Sequence, residues 1–509
     1  MSKVIYHNPV VKGCYPDPSV CRVGNDFYLV NSTFEFFPGV PVLHSTDLVH
    51  WKTIGHCISR VGQLELAPGE QSHSGIYAPS IRYKDGIFYM ITTNVGNSSQ
   101  NGNFYMYTKD PAGEWSDPIF LGTPGIDPSL FFDDDGKDWY VGTCSEGIYI
   151  QEIDLIAGKV LGERTVLWHG TGGAYPEGPH IYKKNGWYYL MISEGGTERC
   201  HMLTMAKSRE LCGSYHAYEG NPVMTNRSLG LPIQSVGHAD LVEDQYGNWW
   251  AVCLGTRTFA YPPRHNLGRE TMLIPVDFSG DWPVFGENGQ VLDEFSVSAL
   301  PGMNGGEDEV DHYATSFENK QLDLSWNGIY ALDNSLVCAG DGRLELYGNS
   351  RKLSDADQIA WIGRRQQHHN SSTKVKLTFP CTQEGEEAGL TIFTNNLHHY
   401  DAALMYIDGK RNLIFRRQIG SLWKIEKEIP LAEDTVQLIL ESNLNFYTFF
   451  YIDEHDEKKE LGRGETGYLT TEVGGAFTGN YIGLYSVGNG KKCITKAEFR
   501  EFHYDVIIN

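Results

Sequence analysis

Cationic side chains are scarce: 41 Lys and Arg stand against 64 Asp and Glu, a formal charge of −23 at pH 7. Phosphate binding needs clustered Lys and Arg, so this balance argues against nucleic acid and anionic membranes as partners and leaves neutral ligands open. No run of 18 apolar residues occurs, so no transmembrane helix is expected. The first residues, Met1 to Pro9, lack the apolar stretch of a signal peptide, and the expected location is cytoplasmic. Ten cysteines are scattered from Cys14 to Cys493 without a CxxC pair. They read as reduced, mostly buried thiols, with neither a disulfide frame nor a zinc site. A phosphate loop is missing too: Gly490-Lys491 has no Gly five residues earlier and no Ser or Thr after it. A GxSxG nucleophile elbow is also lacking, and nothing points to an organic cofactor.

What is present is repetition. The 509 residues suffice for two or three domains. Residues 1–300 read as all-β, with short aromatic and β-branched runs punctuated by Gly, Asp, Asn and Pro. A turn, an aromatic pair and an apolar strand recur as GNDFYLV (24–30), DGIFYMI (85–91), GKDWYVG (136–142), NGWYYLM (185–191) and GNWWAVC (247–253). The second aromatics, Tyr28, Tyr89, Tyr140, Tyr189 and Trp250, are 61, 51, 49 and 61 residues apart. That interval suits four short strands, so five repeats predict a five-bladed β-propeller. A sandwich has no reason to repeat the same aromatic turn five times.

A second motif precedes each repeat by a nearly constant distance. It runs Asp17-Pro18-Ser19-Val20, Ala78-Pro79-Ser80-Ile81, Asp127-Pro128-Ser129-Leu130, Glu177-Gly178-Pro179-His180-Ile181 and His238-Ala239-Asp240-Leu241. Innermost strands of a propeller surround one channel, so Asp17, Asp127, Glu177 and His238 are expected to share a pocket. A lone Asp-Pro is more often turn chemistry. Three carboxylates at equivalent hub positions are another matter, because crowding like charges raises at least one pKa and costs stability. Two carboxylates with unlike protonation are what glycoside hydrolysis uses.

At these motifs the chain resembles glycoside hydrolase family 43, in particular its two-domain β-xylosidases and α-L-arabinofuranosidases. The tokens, in order, are NPVVKGCYPDPSV near the start, STFEFFPGVPVLHSTDLVHW (32–51), GIYAPSIRY (75–83), GIDPSLFFDDDGKDWYV (125–141), YPEGPHIYKKNGWYYL (175–190), GHADLV (237–242) and LGRETML (267–273). The resemblance implies an inverting exo-glycosidase releasing terminal β-D-xylose, α-L-arabinofuranose or both from xylan-derived oligosaccharides. It assigns Asp17 as the general base, Glu177 as the general acid and Asp127 as the carboxylate that orients the acid and tunes its pKa. Arg269 matches an arginine contacting sugar hydroxyls near the base, and His238 a hub histidine. Phe34 matches a subsite phenylalanine, whereas Tyr77 stands where many xylosidases have Trp. In some relatives the hub histidine lies near calcium; a structural calcium ion is admissible here, but no metal ligand is assigned and no cofactor is required. Relatives of this architecture are often dimers or tetramers.

Composition shifts at SVSALPGMNGGEDEVDH (296–312), giving a propeller over 1–300, a linker over 301–312 and a second domain over 313–509. Alternating strands such as STKVKLTF and AGLTIF make the second domain a β-sandwich. By resemblance it lends Phe477, in GGAFTGNYIGLY (474–485), to the pocket mouth. The pairs His368-His369 and His398-His399 lack metal-ligand context and are expected at the surface. Two other readings are a non-catalytic sugar-binding propeller and a retaining, fructosidase-like hydrolase.

Overall fold

The five aromatic turns fall at the same place in five separate antiparallel sheets. In the computed structural model, which describes residues 3–68, 73–302, 312–475 and 477–508, each turn joins the first and second strands of one sheet. The first strands are Ser19–Val23, Ser80–Lys84, Ser129–Phe132, Glu177–Lys184 and Ile233–Glu243; the second are Asp26–Val30, Ile87–Val95, Asp138–Cys144, Trp187–Glu194 and Trp249–Arg257. Every hairpin turns on a glycine at positive φ: Gly24, Gly86, Gly136, Gly186 and Gly247. That backbone costs glycine nothing and strains any residue with a Cβ. Two further strands complete four of the sheets and three complete the second, and the result is the expected five-bladed propeller.

The ring closes at its ends. Val4–His7 pairs with Glu294–Val297 beyond the fifth blade. Asn8 reinforces this by bonding both the carbonyl and the amide of Leu273. At the axis the blades are joined by side chains. Asp240 of the fifth blade accepts from Ser19 Oγ at 2.6 Å, from Tyr182 Oη at 2.7 Å and from both terminal nitrogens of Arg82 at 2.7 and 3.0 Å. Burial works against the Asp240 charge, but the Arg82 guanidinium outweighs it and holds the carboxyl well below the usual carboxylate range. Arg82 also donates to His180 Nδ1 at 2.9 Å. Burial pushes His180 down to about 3, so that ring is a free acceptor. Ser129 of the third blade donates to the Pro179 carbonyl at 2.5 Å. All five blades are therefore tied at the hub.

The second half packs an eight-stranded sheet on a six-stranded sheet. Val375 and Leu377 from one meet Leu390 and Ile392 from the other in a common core. The six-stranded sheet turns its outer face toward the propeller, where Phe36, Phe37, Ile329, Trp361 and Tyr481 form one apolar cluster. The two domains even share a short ladder, Phe36–Phe37 against Gly328–Ile329. Most of the expected linker, 303–311, lies outside the described residues.

One expectation fails here. His398 and His399 are buried, not superficial, because they begin a strand whose face is covered: His399 bonds Asp401 at 2.9 Å and His398 bonds Asn395. All ten cysteines are free, and six are buried.

Phe36 is 1 % exposed and stacks on Tyr481 at 4.0 Å between centroids. Truncation to alanine leaves a void at the domain seam, so Phe36→Ala is expected to cost about 3–5 kcal/mol. The urea midpoint would report it; an unchanged midpoint would show that the seam contributes little to stability.

Candidate active site

Strand alternation brings the hub residues together. Asp17 and Asp127 sit just ahead of their innermost strands, Glu177 opens one and His238 lies within another. All eight expected residues, Asp17, Phe34, Tyr77, Asp127, Glu177, His238, Arg269 and Phe477, line a single cavity of about 560 Å³. Asp17, Asp127 and His238 have φ of 52°, 55° and 47°. Residues with a Cβ held there cost about 1–3 kcal/mol each, and such strain gathers at functional sites.

Glu177 does not occupy the place equivalent to Asp17. That place belongs to Gly178, at φ 57°, with Glu177 one residue earlier. The ladder with the second strand is irregular between Glu177 and His180, so a bulge re-aims the acid. A Cβ on residue 178 would approach the His238 ring to 3.0 Å, which is why glycine stands here.

The three carboxylates differ in surroundings. Asp17 is buried, which opposes its charge, but Arg269 Nη1 donates to Oδ1 at 2.9 Å and Ser32 Oγ to Oδ2 at 2.5 Å. The Arg269 guanidinium and the Ser32 hydroxyl outweigh burial and hold Asp17 below the ordinary carboxylate value. Asp127 goes the other way: burial first, then the neighbouring charges of Glu177 and Asp17, raise it well above that value. The site thus favours the anion of Asp17, beside Arg269, and the protonated form of Asp127. His238 Nδ1 lies 3.9 Å from Asp17 Oδ1 and 4.0 Å from Glu177 Oε1. Burial lowers its pKa despite those carboxylates, which favours a neutral ring.

Aromatic rings form the opposite wall. Phe34 meets Tyr77 at 5.7 Å and Phe477 at 5.9 Å, while Arg269 lies over the Phe34 and Phe477 rings at 5.6 and 5.5 Å. Phe477 comes from the sandwich, and its carbonyl accepts from Arg269 at 3.4 Å. Such a wall offers faces to sugar C–H groups while the carboxylates and Arg269 bond hydroxyls.

Sequence reasoning misses three residues. Thr197 Oγ1 accepts from Arg269 Nη1 at 2.9 Å, and Tyr175, 75 % exposed, stands at the mouth. His201 Nε2 lies 3.3 Å from Glu177 Oε1. Thr197 and His201 follow the second strand of the fourth blade, where no repeat motif marks them. Tyr175 stands two residues before Glu177, so its neighbourhood was a signal.

Comparison with known proteins agrees with this geometry. Residues 6–283 match the sequence model of glycosyl hydrolases family 43, and residues 314–505 that of the β-xylosidase C-terminal concanavalin A-like domain. The chain is 38 % identical over 513 residues to a non-reducing end α-L-arabinofuranosidase of Bacteroides ovatus, covering 99 % of this chain and 95 % of the relative. It is 38 % identical over 524 residues to a xylosidase/arabinosidase of Butyrivibrio fibrisolvens, covering 98 % and 99 %. Among solved structures, the Bacteroides ovatus xyloglucan PUL GH43B superposes with a TM-score of 0.94 at 38 % identity over 99 % of this chain and 100 % of that one. A xylan β-1,4-xylosidase from Bacillus halodurans superposes with a TM-score of 0.90 at 31 % identity over 98 % and 99 %. With both its propeller and its sandwich matched, the chain belongs to glycosyl hydrolase family 43.

Proposed function

We propose that the protein is an inverting, exo-acting glycosidase that releases terminal β-D-xylosyl and α-L-arabinofuranosyl residues from xylan-derived oligosaccharides. The observation that carries this reading is that Asp17, Asp127 and Glu177 line one cavity in unlike surroundings, with Arg269 bonded to Asp17 at 2.9 Å and holding it low while burial pushes Asp127 up. Glu177 gives its proton to the glycosidic oxygen as the C1–O bond breaks and the bonding pair moves to that oxygen. Asp17 takes a proton from the water that attacks C1 from the opposite face. His238 Nδ1 stands between the two, 3.9 Å from Asp17 Oδ1 and 4.0 Å from Glu177 Oε1.

The exo preference is supported by the sandwich, which brings Phe477 against Phe34 and narrows one side of the cavity. The names of the two curated relatives, a non-reducing end arabinofuranosidase and a xylosidase/arabinosidase, support the choice of sugars. Free thiols throughout suit a reducing compartment, and cytoplasmic use of imported short oligosaccharides fits that chemistry.

Two outcomes are expected. Proton NMR of the first-formed sugar from 4-nitrophenyl β-D-xylopyranoside or α-L-arabinofuranoside will show the inverted anomer. Asp17→Asn will lower kcat about 10²–10⁴-fold; retained configuration, or a fully active Asp17→Asn, would refute the reading. Arg269 supplies a second check through pH. Without its guanidinium the anionic form of Asp17 is less favoured, so its pKa rises. Because the base works as the anion, Arg269→Met is expected to move the acidic limb of the kcat/KM profile to higher pH. A limb that stays in place would detach Arg269 from the base.

A further inference from the structure

The outer face of the six-stranded sheet continues past the domain seam. Three of its strands are His398–Ile407, Lys410–Ile419 and Leu422–Pro430, the last at the edge of the sheet. Ala403 stands opposite Ile414, and both belong to the apolar cluster of the seam. Side chains two and four places along a strand share its face, and opposed residues of neighbouring strands do so too. Two more rows therefore follow on this face: Asp401, Arg416 and Ile425, then His399, Gln418 and Trp423. Arg416, Ile425 and the whole last row line a cavity of about 340 Å³ that shares no lining residue with the hub.

The charges around this cavity cancel. Arg416 donates from Nε to Asp401 at 2.8 Å and from its terminal nitrogens to Glu387 at 3.0 and 2.7 Å. Lys352 is the other cation in the lining, so two cations stand against two carboxylates. An anionic ligand finds no surplus positive charge here. Nor do three His, Cys, Asp or Glu side chains gather to hold a metal ion among the described residues. The fitting occupant is neutral.

The last row specifies it further. Trp423 is 63 % exposed, leaving a large apolar ring open at the cavity. Beside it Gln418 is buried, and its Nε2 donates to the Gly420 carbonyl at 2.5 Å. That bond fixes the amide and leaves one donor hydrogen and Oε1 without a partner among the described residues. His399 gives its Nδ1 hydrogen to Asp401. An open indole next to an amide that can both accept and donate suits a sugar, whose C–H face stacks and whose hydroxyls do both.

We propose that this cavity is a second carbohydrate site, on the sandwich and distinct from the hub, which takes a neutral oligosaccharide. Trp423 carries the face of one sugar ring and the Gln418 amide bonds its hydroxyls. Pentose chains as first probes rest on the proposed function; the chemistry of the cavity does not.

The test is isothermal titration calorimetry on the full chain carrying Asp17→Asn, which suppresses hydrolysis. The probes are xylohexaose, α-1,5-arabinohexaose and cellohexaose. At least one is expected to bind at a site that Trp423→Ala weakens about 10-fold or more and that Arg269→Met, a change at the hub, leaves unaltered. Gln418→Leu, which keeps the bulk of the side chain and removes the amide, weakens the same site and decides the matter if the alanine variant does not fold. Absence of binding by all three probes, or binding that neither sandwich variant weakens, overturns the proposal. So does light scattering that shows Trp423→Ala dissociating an oligomer while no sugar binds, since the face then belongs to a second copy of the chain. The two readings fail separately. A chain that binds a probe at the sandwich but cleaves neither chromogenic pentoside keeps this site and loses the proposed activity; one that cleaves them without a sandwich site loses only this inference.

Discussion

The constraint on which the rest depends is a charge count: three carboxylates share a buried hub with a single guanidinium at hand. Arg269 bonds Asp17, and among the described residues lining the cavity it is the one Lys or Arg. A low-dielectric site cannot hold three adjacent anions against one cation, so a proton must stay where the guanidinium does not reach. Asp17 goes down beside Arg269 and Ser32, and Asp127 goes up through burial and its neighbouring carboxylates. The division into an anion on one side and a proton store on the other follows from where Arg269 sits, before any substrate arrives. Uncompensated charge of this kind costs stability and would be purged from a scaffold that did not use it.

The scaffold resists that cost one step deeper along the same strands. Two places beyond the left-handed positions Asp17, Asp127, Gly178 and His238, the innermost strands carry a second layer of polar residues. These are Ser19, Ser129, His180 and Asp240, and they build the clamp that joins the blades. Here the count is reversed: one anion, Asp240, meets the bidentate Arg82 together with the Ser19 and Tyr182 hydroxyls. Such a fully bonded pair is rigid, and losing either partner would strand a buried charge. A frustrated layer at the pocket thus rests on a satisfied layer below it, each using alternate residues of the same four strands.

This layering explains what the sequence discloses. Repeated turns are legible because each hairpin needs the same glycine and aromatic pair at the same place. Asp17, Asp127 and His238 are legible because they recur at a nearly constant offset from those turns. Glu177 is found by family resemblance and by neighbourhood, but its geometry is not: the bulge that shifts it and gives its place to Gly178 breaks the very periodicity used to find it. His201 and Thr197 belong to no repeat, and their roles depend on which ring nitrogen or hydroxyl faces inward. The histidine pair His398-His399 misleads for a related reason. Two polar residues in a row read as surface, yet a sheet packed on both faces buries both, and Asp401 and Asn395 compensate them.

Arg269 finally binds the two domains to the chemistry. One nitrogen, Nη1, serves Asp17 and Thr197, while the other, Nη2, donates to the Phe477 carbonyl of the sandwich. Its planar fork cannot turn toward one partner without leaving another. Docking of the sandwich through the Phe36–Tyr481 seam therefore also fixes the rotamer of the guanidinium that ionises the base. A propeller alone would retain the carboxylates but lose one of the contacts orienting their only counter-charge. The second domain is on this account a part of the base's electrostatics as well as a wall of its pocket, and a loosened seam would be felt first at Asp17, at the far end of the chain from the loop that moved.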